Sequence, residues 1–146
     1  MSAAPSPSCD AIEAALAGAL REPGAPDVVS AYLFGSVAES RSHRESDVDL
    51  GVLLAWASHP DRGQRFDVGL ILAGRLGGAL GRVVDLVVLN DAPPLLGRQV
   101  VTRGVRVACR DARADHDFVR DVQLRAADVV PWLERFRATK LEALRR

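Results

Sequence analysis

Three short runs, VVSAYLF at 28–34, VDLGVLLA at 48–55 and VVDLVVL at 83–89, are nearly continuous in apolar and β-branched residues. Runs of this length and make-up, set between turn residues and stretches of helical periodicity, read as strands of one sheet. A fourth, shorter run follows Gly104 at 105–109. The intervening segments carry a different period. Phe66, Leu70, Leu72, Ala73 and Leu76 predict a helix over 61–80, despite several glycines. The turn NDAPP at 90–94 leads into a short helix over 94–103. Ahead of the first strand, Ile12, Leu16 and Leu20 predict a helix over 10–21, with Ser8 or Asp10 as its N-cap and EPGAP at 22–26 as its breaker. The first seven residues read as a loose end. From about residue 115 the chain is helical, with Pro131 ending one segment or starting the next. This order predicts an α/β fold, a mixed β-sheet flanked by helices, with a C-terminal helical tail.

At 146 residues the chain fits one domain over 1–146, with a core of about 10–125 and the tail over about 115–146. A formal net charge of zero argues against nonspecific nucleic-acid binding, which draws on excess positive charge. No apolar run reaches the length of a membrane span, and the N-terminus lacks the basic-then-apolar pattern of a signal peptide, so a cytoplasmic location is expected. Cys9 and Cys109 form no metal or redox motif, and Cys109 reads as a small core residue. None of His43, His59 and His116 has metal-ligand spacing.

The strands carry an electrostatic oddity. Asp47 and Asp49 stand at the entry of the second strand, where residues two apart point to one face. Asp85 interrupts the third strand, between Val84 and Leu86. If the two strands are neighbours, the three carboxylates converge. Two ionised carboxylates about 6 Å apart repel by roughly 3 kcal/mol at an effective dielectric near 20. Either one of them holds a proton, or a hard divalent cation such as Mg²⁺ sits among them. Taken alone, Asp-x-Asp at a strand entry is also a capping pattern, and Asp85 also reads as a buried acid bonded to an arginine.

Gly35 and Ser36 close the first strand. Glycine lets backbone come close to a phosphate, and a helix opening there would offer a hydroxyl, free N–H groups and a positive dipole end. A Gly-Ser turn by itself is usually only a turn. Joined to the carboxylates, it makes a coherent nucleotide site, in which two Mg²⁺ ions would clamp a triphosphate for in-line displacement.

A strand, GS, ten residues, DVD, then a later strand with a third aspartate resembles the nucleotidyltransferase fold of the DNA polymerase β superfamily. The stretch GSVAESRSHRESDVDLGVLL at 35–54, with LLGRQVVTRGVRVACRDARADHDFVRDV at 95–122, is similar to its minimal nucleotidyltransferase branch, the MntA-type antitoxins encoded beside HEPN-domain toxins. The resemblance covers roughly 28–125. It implies that Gly35 and Ser36 bind the nucleotide phosphates, that Asp47 and Asp49 hold Mg²⁺, and that Asp85 completes the site and helps deprotonate the acceptor. It implies ATP as substrate, AMP as the group transferred, and a tyrosine of the partner HEPN RNase as acceptor, whose modification silences the toxin. Members of the branch often read Ala-Arg-Gly where this chain has Ala38-Glu39-Ser40, although Arg41 and Arg44 lie close by.

Two other functions fit the same residues. One is a binding module that neutralises its partner by contact alone. The other is a small-molecule nucleotidyltransferase of the aminoglycoside type. Some 37 residues follow the fourth strand, too few for a second core, which favours a protein acceptor. The first half of the tail is expected to cover the sheet. Beyond Pro131, Trp132 and Phe136 mark a docking helix.

Overall fold

Each of the apolar runs becomes a strand. A computed structural model of the chain describes residues 8–35 and 47–144. In chain order these form α1 (Cys9–Leu20), β1 (Val28–Phe34), β2 (Val48–Leu54), α2 (Arg62–Leu80), β3 (Val84–Val88), a 3-10 turn (Leu89–Asp91), α3 (Pro94–Arg103), β4 (Val105–Cys109) and α4 (Ala112–Leu144). The sheet order is β3-β2-β1-β4. β1 runs antiparallel to both β2 and β4, whereas β2 and β3 are parallel. A parallel neighbour needs a crossover, and the 19 residues of α2 supply it.

Both faces of the sheet are covered, which is why β1 reads as one apolar run with no polar alternation. On one face Ala31, Leu33, Leu50, Val52 and Leu54 pack beneath Ile12 and Leu16 of α1 and Leu72 and Leu76 of α2. Each leucine fully removed from water there contributes roughly 2 kcal/mol. On the other face Val29, Tyr32 and Leu53 meet Leu89 and Val100, with Phe118 of α4 against them. α1 starts where expected, because the Ser8 hydroxyl accepts from the Ala11 N–H at 3.2 Å. α2 is capped by Asp61, which accepts from the Gln64 N–H at 2.8 Å, and ends at Gly81 with φ 65°. Its buried stripe is Arg65, Gly69, Leu72 and Leu76, so Phe66 and Leu70 turn outward.

Two expectations change. Pro131 neither ends nor starts a helix: α4 runs unbroken through it for 33 residues. Proline removes one backbone bond, but the leucines, alanines, glutamates and arginines around it are strong helix formers and hold the helix across the gap. Cys109 is exposed, not a core residue, because it lies at the end of the edge strand β4. Among the described residues no helix is long and apolar enough to cross a membrane.

Candidate active site

The parallel pairing of β2 with β3 decides where the acidic residues go. The register sets Asp49 directly beside Asp85, and the Val48 N–H donates to the Val83 carbonyl at 3.0 Å just ahead of them. Residues paired in this way point to the same face, and Asp47, two positions before Asp49, points there too. That face is the one covered by α3 and α4, since Leu53 and Leu89, in phase with Asp49 and Asp85, pack on it. Asp47 and Asp85 are exposed, and Asp49 is half-buried between them. Asp85 is thus no buried structural acid.

This proximity has an electrostatic signature. The Asp49 carboxyl is held above the ordinary carboxylate range, first by burial, then by the negative charge of Asp85, then by that of Asp47. Among the described residues, no three acidic, imidazole or thiol side chains are drawn tightly enough together to hold a metal ion as they stand. The register of β2 and β3 nonetheless sets the three carboxylates on one face, where the two strands begin. Donors that repel one another and are all oxygen are the set that a hard divalent cation relieves, so these residues fit Mg²⁺.

The glycine at the end of β1 belongs to the same spot. Phe34 pairs with Asp49, and Gly35 follows it with φ 75°, in the left-handed region. A Cβ at Gly35 would collide with Asp49 Oδ2. The turn therefore lies flush against the central carboxylate because it has no side chain. Ser36, the other residue expected to bind phosphate, lies outside the described residues, as do Ala38, Glu39, Ser40, Arg41, His43 and Arg44.

In the sequence, Gly51 stands out only as part of an apolar run. A Cβ at Gly51 would lie 2.9 Å from Val100 and 3.0 Å from Leu89, so its absence lets α3 settle onto the sheet two residues along β2 from Asp49. Farther along the same face, the Tyr32 hydroxyl donates to Asp115 Oδ1 at 2.6 Å, and Arg106 Nη1 donates to Asp115 Oδ2 at 3.1 Å. Asp115 is buried at 3% exposure, and burial together with its hydrogen bond pushes the Tyr32 hydroxyl far above the ordinary phenol range. The only hint of this network in the sequence is a tyrosine within an apolar strand, whose hydroxyl must find a partner once buried. The groove at the opposite end of the sheet, about 500 Å³ between Trp56 and Phe118, contains none of the three acidic residues.

Known proteins share this fold. Residues 22–113 match the family described as polymerase beta, nucleotidyltransferase. The chain is 42% identical over 79 residues to the protein adenylyltransferase MntA of Shewanella oneidensis, a match that takes in 54% of this chain and 52% of that protein. It thus spans about half the length of the curated relative. A chain from the crystal structure of a toxin–antitoxin with AMP-PNP aligns with a TM-score of 0.65 and 30% identity, over 92% of this chain and 98% of that one. A structure of the tri-AMPylated Shewanella oneidensis HEPN toxin in complex with MNT antitoxin aligns with a TM-score of 0.61 and 27% identity, over 94% of this chain and 99% of that one. With the family's pattern running through the whole sheet and both acidic strands, the chain belongs to the polymerase β nucleotidyltransferase family.

Proposed function

We propose that this chain is a Mg²⁺-dependent protein adenylyltransferase that acts as an antitoxin, transferring AMP from ATP to a tyrosine of a cognate HEPN RNase toxin. The observation that carries the reading is the parallel register that sets Asp49 beside Asp85, with Asp47 on the same face and the side-chain-free Gly35 against Asp49. The named relatives support it: one is a protein adenylyltransferase, another is a toxin–antitoxin with AMP-PNP, an ATP analogue, and a third pairs an AMPylated HEPN toxin with its MNT antitoxin.

In this reading Asp47 and Asp49 hold Mg²⁺, with Asp85 completing the set; bound there, the ion supplies positive charge to the phosphates. Gly35 and Ser36 bring the β1 turn close to the triphosphate. The phenol oxygen of the acceptor attacks the α-phosphorus, an O–P bond forms, the bond to the β-phosphate oxygen breaks and pyrophosphate leaves. Asp85, exposed at the rim, accepts the phenol proton. The test is incubation with the cognate toxin, ATP and Mg²⁺, followed by intact mass measurement of the toxin. A gain matching one or more AMP units, lost in Asp47→Ala and Asp49→Ala, is expected. Neutralisation of the toxin by those variants with no mass change would instead establish a contact-only antitoxin.

A further inference from the structure

A polyphosphate needs positive charge, and the carboxylates at the start of β2 and β3 supply none. α3 brings a cation to that end. The helix begins just after the 3-10 turn, at the far end of the sheet, and runs back toward the acidic end, where Gly104 closes it. Val100 packs over Gly51, where a Cβ would lie 2.9 Å from it. Asp49 is two residues, roughly 6.6 Å, back along β2 from that contact. A Cβ at Gly104 would stand 2.9 Å from the Leu33 carbonyl oxygen, so the end of α3 presses on β1 one residue from the Phe34–Asp49 pair.

Successive residues of a helix turn by about 100°, so Arg103 falls about 20° from Leu96 and about 60° from Val100. Leu96 lines the cavity of about 260 Å³ along β3, with Leu86, Val87 and Val88. Val101, on the other flank of α3, lines the one that opens on Tyr32, Arg106 and Asp115. Arg103 therefore stands on the flank that faces β3, one turn past Val100 and about 4.5 Å nearer the acidic end. Arg98, the other cation of α3, is turned about 160° from Val100 and so faces away from the sheet. Arg103 is exposed, and its guanidinium makes no ion pair among the described residues.

Two features of this end repel an anion. One is the set of carboxylates, which Mg²⁺ offsets under the proposed function. The other is α3 itself, whose carbonyl end carries the negative pole of the helix dipole. An arginine in the last turn offsets that pole from any side of the helix, whereas Arg103 is on the side of the carboxylates. We infer that Arg103 contacts the nucleotide, its guanidinium holding oxygens of the polyphosphate whose Mg²⁺ is held by Asp47 and Asp49. The planar fork of an arginine takes two phosphate oxygens at once, which fixes the chain of phosphates as well as attracting it. This inference rests on the proposed adenylyl transfer and adds the residue that grips its nucleotide.

The test is isothermal titration calorimetry on the full chain without toxin, in Mg²⁺, with ATP and separately with inorganic tripolyphosphate. Arg103→Ala should weaken both by about tenfold or more and by similar factors, the effect of losing charge-assisted hydrogen bonds to phosphate. Arg103→Lys keeps the charge without the fork and should recover part of the loss. Arg98→Ala removes the same charge from the far side of α3, where solvent screens it, and should change neither affinity by more than about twofold. Thermal midpoints separate this role from capping. An Arg103→Ala chain that melts earlier but binds both ligands as the native chain does would show a cap alone and overturn the inference. A loss confined to ATP, or an equal loss in Arg98→Ala, would overturn it as well and leave the proposed transfer standing. A native chain that binds no ATP in Mg²⁺ would overturn both.

Discussion

Asp49→Asn removes one charge from the acidic cluster and leaves the shape of the side chain. Neighbouring strands stand about 4.8 Å apart, so the Asp49 and Asp85 carboxylates are roughly 5–6 Å from each other. At that distance the repulsion is about 3 kcal/mol at an effective dielectric of 20 and below 1 kcal/mol in bulk water. Asp85 is exposed and Asp49 only half-buried, so the screened end of the range governs. With the smaller contribution of Asp47 and the burial of Asp49 itself, the variant should be more stable by about 1–2 kcal/mol at neutral pH. For a chain of this size that raises the thermal midpoint by roughly 2–6 °C.

The pH dependence gives the sharper reading. Because the Asp49 carboxyl is raised in the folded protein, the native state keeps a proton that the unfolded chain has already lost. Stability therefore falls as pH climbs from the ordinary carboxylate range through the raised value of Asp49, and above it the penalty is complete. The advantage of Asp49→Asn should be full above the raised value of Asp49, shrink as pH is lowered through it, and vanish near about pH 4. Scanning calorimetry of both proteins across that interval measures it. Millimolar Mg²⁺ should raise the midpoint of the native protein more than that of the variant, since a ligand stabilises only the state that binds it. A variant no more stable at pH 7, or one whose gain is the same at every pH, would show that Asp49 does not carry a repelled charge.

Gly35→Ala should cost about 1–3 kcal/mol in urea unfolding, because alanine resists the left-handed φ and its Cβ strikes Asp49; the same variant should lose adenylyl transfer as the carboxylate is displaced. Tyr32→Phe should destabilise by about 1–3 kcal/mol, since the buried Asp115 keeps only Arg106. The native protein should also lose stability above about pH 10, where unfolded tyrosine ionises and folded Tyr32 does not, and the variant should lose less; denaturation at two alkaline pH values checks this. Arg65→Met should cost on the order of 3 kcal/mol by chemical denaturation, because Asp91 loses a two-pronged partner and the His59 carbonyl loses its donor.

The sheet was legible because its strands bury both faces and so print unbroken apolar runs, which no turn or exposed helix imitates. The acidic site was legible for a related reason: a charge inside such a run has no packing role, so Asp49 and Asp85 stand out. What the runs do not encode is which strand lies next to which. That β2 and β3 are parallel neighbours, and in a register that aligns the two aspartates, follows from the crossover through α2 and from how Leu72 and Leu76 seat it. Pro131 misleads for the opposite reason. Local rules make it a stop, whereas the helix formers on both sides outweigh one missing bond. The Tyr32–Asp115 bond spans 83 residues, and no local pattern announces a contact of that separation.

Apart from the Tyr32–Asp115–Arg106 network, the polar clamps described lie at one end of the sheet, and their distribution bears on the chemistry. The Asn90 amide both donates to the Leu54 carbonyl and accepts from the Leu54 N–H, each at 2.9 Å, and extends the ladder past the end of β2. His59, 7% exposed, accepts from the Asp27 N–H through Nε2 at 3.0 Å and meets Gln64 through Nδ1. Arg65 grips Asp91 with two bonds at 2.9 and 2.8 Å and lies 4.8 Å from the centroid of the Trp56 ring. All of these fasten the end of the sheet where β2 and β3 finish. At the end where they begin, the charges repel. Under the proposed function the site receives a cation and a polyanion, and it would gain from such repulsion, because the incoming ion relieves it and binds more tightly for that reason. Such a site endures in the empty protein only if the fold is secured elsewhere. Weakening the remote clamp, as in Arg65→Met, should therefore make the chain depend on Mg²⁺ for stability, so that the midpoint gained from Mg²⁺ decides whether the variant is folded at 37 °C.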